Sequence, residues 1–138
     1  MKLRYRLEDF CRAHDLDALF VFGSRAEEVC RSLEADVPAP EASSSDVDIG
    51  ILPPESAVLP VDRKVAIATG LEDLRGVSRV DLVVLPEADP FLAVNVMRGE
   101  RLFFRDAHRI DEYELFVLRR AGDLAPFERE RLAMIGGA

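Results

Sequence analysis

The sequence predicts an α+β protein, because short apolar runs typical of strands occur along the chain between amphipathic patterns typical of helices. The 138 residues are enough for one domain with one hydrophobic core. Of these residues, 49% are hydrophobic and 32% are charged, which is typical of a globular protein. The sequence contains no internal repeat, so we expect residues 1–138 to form a single domain.

Each predicted strand is a short apolar run bounded by turn residues. The first run is continuously apolar, as in a buried strand, and it ends at Gly23. In the second run, Val47, Ile49 and Ile51 alternate with acidic or small residues, and two prolines follow. The four predicted strands are, in order, residues 18–22, 47–51, 80–85 and, as a short edge strand, 102–104.

Helices are predicted where apolar residues recur every three or four positions. Asp89 and Pro90 are a typical helix start, with an aspartate N-cap followed by a proline in the first turn. Glycines indicate helix ends, and we expect Gly122 to separate the last two helices. The predicted helices are residues 4–14, 24–33, 61–75, 90–98, 106–121 and 123–135, so a helical C-terminal tail begins at about residue 106.

Residues 35–45 differ in composition from the rest of the chain. They include two prolines and three serines, and Val37 is their only large apolar residue. Such a segment favours irregular backbone, so we predict a flexible insertion here.

The charge balance excludes some function classes. The net charge is −8, whereas nucleic-acid-binding proteins usually present a basic face, so we expect no direct nucleic-acid binding. No stretch approaches the roughly 20 apolar residues of a membrane helix, and the N-terminus lacks the pattern of a signal peptide. Cys11 and Cys30 are too far apart for a CxxC site and are expected to be reduced, which favours a cytoplasmic location.

Three aspartates form the most informative pattern in the sequence. Asp46 and Asp48 are two positions apart on a predicted strand, so their side chains should project from the same face. Asp81 lies near the start of the next predicted strand and can add a third carboxylate. Adjacent carboxylates repel one another, and Mg²⁺ binding would remove that penalty. We therefore predict a catalytic site with two metal ions about 3.5–4 Å apart, in which Asp81 is a metal ligand or general base.

A second pattern, Gly23-Ser24-Arg25, lies where the first strand gives way to a helix. Glycine allows the backbone to approach a phosphate closely, and a helix N-terminus offers free N–H groups. Ser24 adds a hydroxyl donor and Arg25 a guanidinium that could pair with phosphate oxygens. We therefore predict that these three residues bind a nucleotide through its phosphates.

Three segments together, residues 22–26 (FGSRA), 45–49 (SDVDI) and 79–83 (RVDLV), resemble the core motifs of the DNA polymerase β-like nucleotidyltransferase superfamily. The length of the chain and residues 118–127 are similar to the minimal nucleotidyltransferases, or MntA-like antitoxins. The resemblance implies a mixed sheet flanked by helices, with ATP as substrate and Mg²⁺ as cofactor. It also implies that AMP is transferred to a tyrosine of a HEPN-type toxin, with which the protein could form a hetero-oligomer; a homo-oligomer is equally open.

Two features depart from that family pattern. Residues 25–45, 21 in all, separate Ser24 from Asp46, where about ten are usual, and the excess coincides with the predicted insertion. Glu27 and Glu28 follow closely after the predicted phosphate-binding turn, where acidic charge is unfavourable. Two alternatives therefore stay open: a catalytically degenerate antitoxin that acts by binding, and a nucleotidyltransferase for a small molecule.

Overall fold

The computed structural model describes residues 2–37, 46–75 and 79–136. Five helices and four strands lie within these ranges, and a 3₁₀ turn at Leu85–Glu87 follows the third strand. In chain order they are α1 (Leu3–Ala13), β1 (Ala18–Phe22), α2 (Ala26–Ala35), β2 (Val47–Leu52), α3 (Val61–Arg75), β3 (Val80–Val84), α4 (Pro90–Met97), β4 (Glu100–Phe104) and α5 (Ala107–Gly136). Within these ranges, no helix is both long and apolar enough to span a membrane.

The four strands form one sheet in the order β3-β2-β1-β4. Strands β2 and β3 are parallel, whereas β1 pairs antiparallel with both β2 and β4. The sheet is therefore mixed, and the predicted α+β fold with helices flanking a mixed sheet is confirmed.

The two faces of the sheet pack against different helices because strand side chains alternate in direction. On one face, Val47, Ile49 and Ile51 join buried residues of α1, α2 and α3 in a single apolar cluster. On the other face, Phe20 and Leu52 pack with buried residues of α4 and α5. The positions between the three apolar residues of β2 face the α4 side, so Asp46 and Asp48 project there.

Gly50 allows α4 to lie directly on this second face. A Cβ atom at Gly50 would be 2.2 Å from Cγ1 of Val96, a side chain of α4 that is completely buried. A larger residue would push the helix off the sheet.

The prediction that Gly122 separates two C-terminal helices is wrong. Helix α5 continues through Gly122 and through Pro126 to Gly136. Before Gly122 the helix packs on the core, because Ile110, Val117 and Ala121 are buried. A single glycine lowers helix propensity by only about 1 kcal/mol, which does not by itself end a helix. Both Gly122 and Pro126 are exposed, so water can bond to the carbonyl that the proline leaves without its N–H partner.

Two boundaries differ from those predicted around the second helix. α2 begins at Ala26 rather than Ser24, and it includes Ala35, the first residue of the predicted insertion. Asp36 caps the C-terminal end of α2 in the left-handed conformation, with φ 58°. The remainder of that insertion, residues 38–45, lies outside the described residues.

Candidate active site

Asp48 and Asp81 are direct neighbours on adjacent parallel strands. The register of β2 and β3 aligns Asp48 with Asp81 and Val47 with Val80. Neighbouring strands lie about 4.8 Å apart, so the two carboxylates share one end and one face of the sheet. Asp46 precedes β2 by one residue and lies at the same end. Asp46 and Asp48 are partly buried, whereas Asp81 is exposed.

This arrangement concentrates negative charge around Asp48. Partial burial raises the pKa of the Asp48 carboxyl above its usual value, and the charges of Asp81 and Asp46 raise it further. Arg79 pairs with this group: its Nε lies 3.5 Å from Oδ2 of Asp46, and its side chain is 76% exposed. Such an exposed contact offsets little of the repulsion. Among the described residues, the negative charge at this end of the sheet is therefore largely uncompensated.

The chemistry of these donors suits a hard divalent cation, which prefers oxygen ligands. Across the described residues, however, no group of three or more His, Cys, Asp or Glu side chains is arranged so that it could hold a metal ion. The three aspartates are thus neighbours and not a preformed metal cage. The contact between Asp46 and Arg79 is one reason, because it holds one carboxylate toward a cation of the protein itself.

Gly23 joins the aspartates to the turn that follows β1. Its φ is +79°, a conformation that residues with a side chain rarely adopt. A Cβ atom built there would be 2.3 Å from Oδ2 of Asp48. Only glycine therefore fits between the strand end and this carboxylate. The backbone of the Gly23 turn and the Asp48 side chain consequently occupy one small region.

Ser24 and Arg25, the other two predicted nucleotide-binding residues, differ in accessibility. Ser24 is exposed beside Gly23. Arg25 occupies the N-cap position of α2 and is only 6% exposed, and its Nε donates to Oε2 of Glu28 at 2.9 Å. Ser24 and the first turn of α2 therefore form the accessible part of the predicted phosphate site, whereas Arg25 lies beneath it.

The acidic residues at the start of α2 are paired within the helix. Oε1 of Glu27 lies 2.9 Å from Nη2 of Arg31 in an ion pair, and both side chains are well exposed. Glu28 is the partner of Arg25. The charge of each carboxylate is therefore partly compensated, which reduces the repulsion between these carboxylates and a phosphate bound at the turn.

Arg75 is a buried residue that the sequence analysis did not single out. It ends α3, yet it is only 4% exposed and its guanidinium reaches α2. Arginine is rarely buried, and a helix terminus is usually an exposed position. No spacing or motif around Arg75 indicates burial.

A model of the family described as "Polymerase beta, Nucleotidyltransferase" matches residues 6–108, which include all six predicted site residues. The chain belongs to this nucleotidyltransferase family. No functionally curated protein matches the sequence significantly.

Solved structures of toxin–antitoxin proteins share the fold over nearly the whole chain. A mutant of the MntA–HpeT toxin–antitoxin superposes with a TM-score of 0.67 at 21% identity, covering 97% of this chain and 96% of that one. A toxin–antitoxin with AMP-PNP gives 0.67 at 22% identity, with the same coverage. The MNT antitoxin in complex with a tri-AMPylated Shewanella oneidensis HEPN toxin gives 0.63 at 22% identity, covering 98% and 94%. The nucleotidyltransferase therefore has the fold of the MNT antitoxins, as the sequence motifs predicted.

Proposed function

We propose that this nucleotidyltransferase is an antitoxin that transfers AMP from ATP to a tyrosine hydroxyl of a HEPN-type toxin in the presence of Mg²⁺. The observation that carries the proposal is the juxtaposition of Asp48 with Asp81 on parallel strands and with Gly23 across a turn. Two structures of the same fold support it: one toxin–antitoxin contains AMP-PNP, and another antitoxin is in complex with a tri-AMPylated HEPN toxin.

Asp46, Asp48 and Asp81 are the residues that would hold Mg²⁺, through their carboxylate oxygens. We propose that two ions bind. They would neutralise the charge of the triphosphate and increase the acidity of the acceptor hydroxyl. Asp46 would exchange its contact with Arg79 for this role. That contact spans 3.5 Å at an exposed position, so breaking it costs little free energy.

The chain's own groups have separate tasks in the proposed reaction. The backbone at Gly23, the Ser24 hydroxyl and the N–H groups of the first turn of α2 bind the triphosphate. The acceptor oxygen forms a bond to the α-phosphorus, and the bond from that phosphorus to the β-phosphate bridging oxygen breaks, releasing pyrophosphate. Asp81 is exposed beside Asp48 and accepts the proton of the acceptor hydroxyl. Arg25 orients the turn from below through its pair with Glu28.

The proposal is tested by incubating the protein with ATP labelled at the α-phosphate, Mg²⁺ and a HEPN toxin. Wild type should label the toxin, and the variant Asp46→Asn/Asp48→Asn should not. Asp73→Asn removes an exposed carboxylate of α3 and is the matched control, which should label normally. Equal labelling by wild type and the double variant would refute the mechanism.

A second candidate, neutralisation by binding alone, is favoured by one observation. Within the described residues, the aspartates are not arranged as a metal cage, and Asp46 contacts Arg79 instead. In this case the double variant would still rescue cells from the toxin. Growth rescue by a variant that does not label the toxin would therefore favour binding over catalysis.

A further inference from the structure

Arg75 joins two helices that belong to different halves of the proposed site. It ends α3, and its Nη2 donates to the Val29 carbonyl of α2 at 3.4 Å and to the Ser32 hydroxyl. Val29 lies in the first turn of α2 and Ser32 in the second, and α2 follows the Gly23 turn in the chain. α3 in turn leads into β3, which carries Asp81. One side chain therefore connects the phosphate-binding turn to the element that precedes the third aspartate.

The burial of Arg75 is unfavourable for stability. Within the described residues, its Nε and Nη1 have no hydrogen-bond partner. Burial lowers the pKa of its guanidinium, and the nearby Arg25 guanidinium lowers it further. A charged group held in the interior with two unmet donors destabilises the folded state. Buried charges of this kind can often be replaced by apolar residues without loss of stability.

A group that opposes stability and still bridges two parts of a site suggests a functional reason for its presence. We propose that Arg75 is a positioning residue that fixes the N-terminal turns of α2, and with them Gly23 and Ser24, relative to the aspartates. This inference rests on the proposed function. The turn from Gly23 to α2 is short. A shift of α2 would therefore displace the N–H groups of its first turn that face the phosphates in the proposed reaction.

The test compares Arg75→Met with Arg75→Lys and with Arg6→Met. Methionine keeps the apolar stem but removes every donor, whereas lysine keeps a charged donor group. Arg6 is exposed on α1, which packs on the face of the sheet opposite to the aspartates, so it is the matched control. Ser32→Ala removes one acceptor of Arg75 and so provides a second way to weaken the contact between Arg75 and α2, which we call the Arg75 bridge.

Three quantities are measured: the Kd of AMP-PNP with Mg²⁺ by calorimetry, the thermal midpoint, and amide hydrogen exchange in α2. Arg75→Met should weaken AMP-PNP binding about tenfold, because displaced phosphate donors lose their alignment. Its thermal midpoint should equal or exceed that of wild type. Exchange should accelerate at the Val29 amide, which bonds to the Arg25 carbonyl. Arg75→Lys should recover part of the binding, and Arg6→Met should match wild type.

Unchanged exchange and unchanged AMP-PNP binding in Arg75→Met would overturn the inference. A thermal midpoint that falls in proportion to the loss of binding would also overturn it, because Arg75 would then only stabilise the fold. If wild type itself binds no nucleotide, the proposed function fails. Even then, amide exchange in α2 shows whether Arg75 holds the helix in place, because exchange is measured without a ligand. Ser32→Ala should accelerate the same amide, and an unaffected amide there would count against the bridge.

Discussion

The two ends of the sheet hold partly buried aspartates in opposite electrostatic settings. At one end, Asp48 is next to Asp81 and Asp46, and its pKa is raised by partial burial and, further, by this surplus of negative charge. At the other end, Asp17 precedes β1, and its Oδ2 lies 2.5 Å from Nε of Arg109. Arg109 also donates from Nη2 to the Pro53 carbonyl at 3.1 Å, which closes the network.

This difference separates a structural carboxylate from a candidate functional one. Removing the partner of a partly buried charge destabilises the fold, whereas a partly buried charge without a partner is a candidate for a functional role. A cavity of about 570 Å³ lies at the Asp17 end, beside Arg109 and Tyr113, and none of the three aspartates lines it. The proposed nucleotidyl transfer with metal ions needs carboxylates and an accessible surface more than volume, so the proposal is based on charge compensation and not on this cavity.

The sharpest test of the comparison is to neutralise each aspartate in turn. Asp48→Asn should lower AMP transfer by about 10³-fold, because a lost metal ligand removes several kcal/mol of transition-state stabilisation. Asp17→Asn should leave the transfer rate near that of wild type. The rates are measured by single-turnover labelling of the toxin at saturating ATP. A large rate loss in Asp17→Asn, with the protein still folded, would break the assignment of the two ends.

Stability should respond in the opposite way. Arg109→Met leaves Asp17 without its partner, and we expect the free energy of unfolding to fall by about 2–3 kcal/mol. The matched control is Arg105→Met, because Arg105 forms a more exposed pair with Asp15 at 2.9 Å. Its loss should amount to less than about 1 kcal/mol. Urea denaturation measures both values, and similar losses in the two variants would contradict the view that the Asp17 end is the structural one.

The aspartate end could be predicted largely from the sequence because its signals are local. Alternation along residues 46–51 fixes which side chains face the core, and an aspartate two positions after another must share its face. Gly23 at the end of an apolar run indicates a turn. The neighbouring position of Asp81 required only that β3 pair with β2. The roles of these residues stay predictions.

The interior charges could not be predicted because they depend on packing between distant segments. Arg75 and Ser32 are 43 positions apart, and their contact exists only because α3 ends beneath α2. Likewise, Arg25 follows a glycine and a serine, so it resembles an exposed phosphate ligand, yet it is 6% exposed and paired with Glu28. The prediction also missed the continuation of α5 through Gly122, because it treats a single glycine as a helix end.

A smaller effect is expected from the contact between Gly23 and Asp48. Gly23→Ala should destabilise the protein by about 1–2 kcal/mol, because alanine disfavours φ of +79° and its Cβ would displace the Asp48 carboxylate. AMP transfer should fall about tenfold for the same reason. Gly122→Ala is the control, since nothing lies within 4 Å of its added Cβ, and it should stabilise α5 by up to about 1 kcal/mol. Thermal unfolding and the labelling rate measure both variants, and normal transfer by Gly23→Ala would separate the turn from the aspartates.

The smallest expected effect is the pH dependence of stability without metal. The pKa of Asp48 is raised above its ordinary value of 3.8, so the folded state binds this proton more tightly than the unfolded chain does. Stability from this group is therefore present at low pH and is lost as pH rises from about 3.8 through the raised pKa. Asp48→Asn should remove that loss, so in EDTA the variant gains stability relative to wild type between acidic and neutral pH. Asp73→Asn should show no such relative gain.

Adding Mg²⁺ at neutral pH should reverse the order of stability of wild type and Asp48→Asn, because the ion stabilises only the protein that keeps its carboxylates. If wild type and Asp48→Asn keep a constant difference across this range, the charge around Asp48 is compensated after all, and the contrast with Asp17 disappears.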